Sequence, residues 1–201
     1  MQKLILLGSG GQAKSCIEVI HSKNFFKVDG LICKSNSADL FNIKILGDDD
    51  FLNIIQHKNK INLHIAIGFI RSPKLKINLF KKYKGMGFKF PVLLAESAII
   101  SKRAKILEGT IVHHMAFINY GARIGYNSII NTSSIIEHDT QVGNNCHIST
   151  GVILNGDVIV GDNTFIGSGA KVSEGVKIGK NCFIAIGKIV TKNLKDNTVL
   201  K

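Results

Sequence analysis

The sequence predicts two architectures in tandem: a small α/β, Rossmann-like parallel sheet over residues 1–95 and an all-β parallel β-helix built of hexapeptide repeats over residues 96–201. Three observations predict it. The second half has an unbroken period of six. The N-terminus reads as strand, Gly-rich turn and helix. Between them, Pro91 and the extended stretch "VLLAESAII" carry the chain from one regime into the other.

The period decides the second half. Every sixth residue from Ile100 to Val190, sixteen in all, is Ile, Val or Leu. Shifted by four, the series Ala104, Thr110, Ala116 and onward to Cys182 is small or β-branched throughout, and only its last member, Lys188, departs. An α-helix rotates such a stripe off its face, because its turn holds 3.6 residues. A flat strand, with period two, gives no reason for the small position. Three hexapeptides per triangular coil satisfy both: the aliphatic fills the prism and the small residue fits a corner. Gly125, Asn131, Gly143, Asn155, Gly161, Gly167 and Gly179 follow the aliphatic positions, where turns need a permissive backbone. The 18-residue coil predicts roughly five coils without a projecting loop. Cys146 and Cys182, two coils apart, fall in one interior column as packing residues.

The N-terminal elements follow in order. "KLILL" is a short apolar strand, "GSGG" a turn, and "QAKSCIEVI" an amphipathic helix. Gly8, Gly10 and Ala13 match G-x-G-x-x-[G/A], a turn whose bare N–H groups and helix N-terminus accept a phosphate. Further strands are predicted at Gly30–Cys33 and Leu63–Gly68, and helices at Asp48–His57 and about Ser72–Lys84. The resulting βαβαβα order implies a parallel sheet. A dinucleotide fold places an acid at the end of its second strand to hold a ribose. This chain has Cys33 there, and Asp29 precedes the strand, which argues against NAD and for a nucleotide-linked sugar.

Composition narrows the function. The net charge of +12 is spread over both halves, with 15 Lys/Arg against 7 Asp/Glu in residues 1–97 and 11 against 7 in the remainder. Such a field favours phosphate-bearing ligands. A dense basic stripe with aromatic platforms is absent, so no nucleic-acid partner is expected. The apolar run near the N-terminus is too short for a membrane span or a signal h-region, so a cytoplasmic protein without membrane insertion is expected. None of the four Cys forms a C-x-x-C pair, and no metal is expected.

Glu137, His138 and Asp139 stand together inside the ladder, which accounts for their neighbours Ile136, Thr140 and Val142 but not for them. With "GSGGQAK" (8–14), "INTSSIIEHD" (130–139) and "NCHISTGVILNGDVIVGDNTFIGSGAKV" (145–172), the chain resembles the NeuD/PglD-type bacterial sugar acetyltransferases over nearly its whole length. The resemblance implies a left-handed β-helix, a homotrimer, acetyl-CoA as co-substrate in the groove between neighbouring β-helices, and a sugar held partly by the N-terminal domain. It makes residues 1–95 the sugar or nucleotide-sugar domain and 96–201 the acetyl-CoA-binding catalytic domain.

Carried over residue by residue, the resemblance makes His138 the general base, with Glu137 or Asp139 as its orienting acid. It sets Asn131 and the turn Gly8, Gly10, Gly11 and Gln12 on the substrate, and His147, Gly156, Ser168 and Ile186 on the cofactor, with His147 meeting either the substrate or the thioester end of CoA. Gly156 lies 18 residues beyond His138, so it stacks one coil away, where its N–H serves an acyl oxyanion. Gln12 stands where many members have His, and the chain ends on "KDNTVLK" without the family's V-x-x-G-x-P-A.

The activity so implied is N-acetylation of the amino group of a nucleotide-linked deoxy-amino sugar in surface glycan synthesis. The alternative is O-acetylation of sialic acid or CMP-sialic acid, which "ISTGVILNGDV" also resembles. A zinc hydratase built on interfacial His residues fits poorly, since His138 and His147 are half a coil apart and on different faces. His113 and His114 are expected at the surface, Tyr120 as a plain surface residue, and Lys81–Lys84 as the solvated end of a helix.

Overall fold

The computed structural model describes residues 1–23, 25–33, 40 and 42–201. Strands β1 (Gln2–Leu7), β2 (Phe26–Ile32), β3 (Ile45–Gly47) and β4 (Asn62–Ile65) form one parallel sheet in the order β3-β2-β1-β4. Helices α1 (Gly11–Lys23), α2 (Asp49–Ile54) and α3 (Lys74–Gly85) connect and cover it. β3 is too short to show an alternating pattern in the sequence. α2 ends at Ile54, earlier than the expected His57, because Ile55 is extended. The chain order reverses between β1 and β4, and the crevice at such a reversal is where open α/β sheets take ligands.

The ladder folds as a left-handed β-helix. Eighteen two-residue strands from Leu93–Leu94 to Val199–Leu200 form three parallel sheets of seven, six and five strands. Coils stack in an 18-residue register, as in Ile129↔His147, Ile135↔Ile153 and Arg123↔Gln141. Eighteen strands make six coils, one more than expected. The first strand starts before the aliphatic series is legible. The last coil is two residues short, so Phe183 pairs with Val199. The second residue of each strand points inward and builds one apolar core from Val112 to Val190.

The small-residue column does more than fit a corner. Thr110, Ser128, Cys146, Thr164 and Cys182 each donate to the carbonyl of Gly125, Gly143, Gly161, Gly179 or Lys195 in the next coil. The Oγ atoms of Thr110, Ser128 and Thr164 also accept from the N–H of Ser128, Cys146 and Cys182. The buried backbone groups at this corner are thereby paired. Beside it runs an asparagine ladder, Asn127–Asn145–Asn163–Asn181–Asn197, with amide bonds of 2.9–3.2 Å between coils. All five have φ between 53° and 63°, the left-handed region that Asn tolerates.

α1 lies between the α/β sheet and the seven-stranded face of the prism. Its buried Ala13, Cys16, Ile17 and Ile20 pack in one cluster with Leu93, Ile111 and Ile129. The C-terminal end of α1 meets the first coil, where the Glu96 N–H donates to Ser22 Oγ. Its N-terminal end meets higher coils, where Gln12 Nε2 lies 3.3 Å from His113 Nε2. The ligand crevice of the sheet therefore faces up the prism. Contrary to the surface placement expected for it, His113 is buried at this junction, because Gln12 and α1 cover it. Tyr83 likewise turns inward from the Lys81–Lys84 run, and Lys84 pairs with Glu108. No helix among the described residues is long and apolar enough to cross a membrane.

Candidate active site

His138 and Asp139 occupy the turn between the strands Ile135–Ile136 and Gln141–Val142, at the vertex of the prism where the six- and five-stranded sheets meet. Asp139 adopts φ 60°, and this twist turns its carboxylate back on its neighbour. His138 Nδ1 lies 3.1 Å from Asp139 Oδ2. The hydrogen bond to Asp139 raises the His138 pKa above its usual value, and the charges of Asp139, Glu137 and Glu174 add to it. Glu137 makes a different bond: Asn119 Nδ2, one coil below, donates to its Oε2 at 2.6 Å. Of the two acids, Asp139 orients the imidazole, and Glu137 is tied to the wall.

Gly156 lies one coil above. A Cβ built on it would stand 2.6 Å from both Cε1 and Nε2 of His138, so only Gly leaves room for the ring. Asp157 N–H donates to the His138 carbonyl at 3.0 Å, fixing the spacing of the two turns. Among the described residues no acceptor holds the Gly156 N–H. The vertex thus combines a carboxylate-held imidazole, a free backbone donor beside it and Tyr120 on the coil below, 60% exposed. That is the set acyl transfer uses: a base, its orienting group and an oxyanion donor.

The other expected site residues lie elsewhere on the same chain. Asn131, Ser168 and Ile186 are on the vertex between the seven- and six-stranded sheets, and Asn131 Oδ1 accepts from the Thr132 N–H at 2.8 Å. Ile186 is 75% exposed. His147 lies on the seven-stranded face, beneath the N-terminal domain. Its Nδ1 donates to the Phe69 carbonyl at 2.7 Å, and burial pushes its pKa down to about 4. The ring is therefore neutral, and its Nε2 has no partner among the described residues.

His147 lines a cavity of ≈ 690 Å³ with Gln12, Gly68, Phe69, Ile70 and Arg71. Gly8 lines a second one, of ≈ 470 Å³, with Ser9, Cys33, Ile67, Asp48 and Asp50 among its walls. Gly8 takes φ 113°, and a Cβ there would press on the Ala66 carbonyl at 3.0 Å. The acids at the sheet end come from the segment after β3, which spacing from β2 alone did not reveal. Among the described residues no group of three or more His, Cys, Asp or Glu is placed to hold a metal ion.

Comparison with known proteins adds the family. Residues 3–83 match the PglD N-terminal domain, 120–155 the hexapeptide repeat of succinyl-transferase and 157–191 the bacterial transferase hexapeptide. The chain belongs to the NeuD/PglD-type sugar acetyltransferases. PerB from Caulobacter crescentus, solved with CoA and GDP-perosamine, is similar at 29% identity, over 99% of this chain and 93% of that one, with a TM-score of 0.90. A histidine variant of the perosamine N-acetyltransferase of the same organism, also holding CoA and GDP-perosamine, matches at 28% identity over 99% of this chain and 93% of that one, TM-score 0.91. The acetyltransferase domain of PglB from Neisseria gonorrhoeae FA1090 shares the fold at 22% identity, over 99% of this chain and 96% of that one, TM-score 0.92. No curated protein matches the chain by sequence. For this sugar acetyltransferase family member, the vertex at His138 is the candidate catalytic centre and the two cavities of the N-terminal domain are the candidate substrate sites.

Proposed function

We propose that the protein transfers acetyl from acetyl-CoA to the amino group of a nucleotide-linked amino sugar, with His138 as general base. The observation that carries this reading is the stacking of the His138 imidazole on Gly156, with Asp139 on the far ring nitrogen. The similarity to PerB, crystallised with CoA and GDP-perosamine, supports the choice of co-substrate and acceptor.

The chemistry follows from the geometry. Nδ1–H donates to Asp139, which leaves the Nε2 lone pair as the base. Nε2 takes a proton from the sugar ammonium, and the freed amine attacks the thioester carbonyl carbon. A C–N bond forms and the carbonyl π pair moves to oxygen, where the Gly156 N–H stabilises it. Collapse re-forms the carbonyl and breaks C–S, the CoA thiolate takes the proton from the imidazolium, and the amide nitrogen gives up its second proton to the freed Nε2, which passes it to water. Asp139 stabilises that cation throughout.

The same reading requires more than one copy. The N-terminal domain that carries the proposed substrate cavities packs on the seven-stranded face, and His138 is on the vertex opposite that face. One chain cannot bring them together. The outer face of the six-stranded sheet, which runs from the Ser168 vertex to the His138 vertex, carries Ile99, Phe117, Ile135, Ile153 and Ile189, interrupted only by Lys171. Ile99 and Ile189 are 66% and 70% exposed in the single chain. A homotrimer that buries this face sets the His138 vertex of one chain against the Asn131–Ser168–Ile186 vertex of the next. The groove between them is where acetyl-CoA lies.

The nucleoside occupies the cavity at Cys33, Asp48 and Asp50, and its diphosphate crosses the Gly8–Gly11 turn. Acetyl-CoA consumption, measured with nucleotide-linked amino sugars and in parallel with sialic acid and CMP-sialic acid, tests the reading. Turnover is expected with an amino sugar. Turnover confined to the sialic acids would move the activity to O-acetylation and refute it.

A further inference from the structure

The loop of residues 66–73, between β4 and α3, is tied across its base and held at its middle. Lys76, buried on α3, donates from Nζ to the Ile65 carbonyl at 3.1 Å, just before the loop. Within the loop, the Phe69 carbonyl accepts from His147 on the prism. Phe69 is edge-on to both His147 and Phe165, with ring centroids at 5.6 and 6.3 Å. Arg71 leaves this fixed segment and lies with Cζ 5.8 Å from the centroid of Phe183, which stacks on Phe165. A guanidinium laid over a ring keeps its N–H edge free, the edge that grips two oxygens at once.

Arg71 is exposed, and no carboxylate among the described residues pairs with it. Among the described residues it is the sole formally charged side chain lining the ≈ 690 Å³ cavity, whose other polar members are Gln12 and His147. His147 is 8% exposed, and its Nε2 is buried without a partner among the described residues. The accessible lining therefore offers one positive fork. It calls for a ligand that carries an anion at that point.

We propose that Arg71 is a specificity-determining residue that binds an oxyanion of the acceptor. The inference rests on the reading of this face as the acceptor site. Two parts of an acceptor can supply the oxyanion: the diphosphate of a nucleotide sugar, or a carboxylate on the sugar ring. Calorimetry on the full-length protein separates them, with UDP and GDP as the diphosphate probes, free sialic acid as the carboxylate probe and CoA as the control.

Arg71→Gln is expected to weaken one probe class about 10- to 100-fold, the loss of a charged hydrogen-bond pair, and to leave CoA unchanged. Arg71→Lys, with the charge but not the fork, is expected to recover only part. The class that responds names the oxyanion. Both classes binding Arg71→Gln as tightly as wild type, or CoA weakening in step, overturns the assignment of Arg71. If the wild type acetylates an amino sugar nucleotide all the same, the acetyl-transfer reading stands without it. Wild type that binds neither class overturns both.

Discussion

Two acids flank His138 in sequence, and spacing alone did not choose between them. The choice lies in a backbone angle: the left-handed φ of Asp139 brings its carboxylate to Nδ1, while Asn119 from another coil takes Glu137. Neither contact is legible along the chain, because one depends on the turn conformation and the other on stacking across 18 residues. The pH dependence should report the difference. The base works unprotonated, so kcat rises as pH passes its pKa, and Asp139 raises that pKa. Asp139→Asn should move the rising limb of the pH–rate profile to lower pH and reduce the plateau. Glu137→Gln should shift the limb less. A larger shift for Glu137→Gln would reverse the assignment.

The prism was readable as an element because each coil repeats one physical requirement: a large aliphatic inside, a small residue at the corner and a permissive turn. The hydroxyl and thiol bridges of Thr110, Ser128, Cys146, Thr164 and Cys182 show that one corner asks for more than small size, since each of these five also satisfies backbone of the next coil. The packing of α1 and α3 on the prism was not readable. It depends on which outward residues meet across the domain boundary, and so His113 was misplaced.

Lys76 on α3 belongs to this hidden seam. Fully buried, with Cys16 and His64 as neighbours, its pKa falls to about 8, chiefly through desolvation. The folded state therefore disfavours the ammonium, a penalty present in full below about pH 8 and relieved as pH rises toward the unfolded value of 10.5. The stability of wild type relative to Lys76→Met should rise by about 3 kcal/mol between pH 7.5 and 10.5, measured by denaturant unfolding. A difference independent of pH would show that the ammonium is not desolvated as described.

At the scale of the whole molecule, the chain separates its candidate sites on opposite sides of one prism. The α/β domain, proposed to hold the acceptor, packs on the seven-stranded face, and the far vertex carries His138, the proposed base. Rigid stacking fixes the His138–Gly156 distance, since a coil cannot shift without breaking its register with two others. In the proposed homotrimer, a second prism closes the acetyl-CoA groove that a single chain lacks.

The central claim is that His138 removes the proton that allows acetyl transfer. It is tested most directly by steady-state turnover of His138→Ala with acetyl-CoA and a nucleotide-linked amino sugar, alongside CoA affinity and oligomeric state. The account predicts a kcat lower by about 10²–10⁴-fold, with CoA binding and assembly intact. Turnover equal to wild type would contradict it.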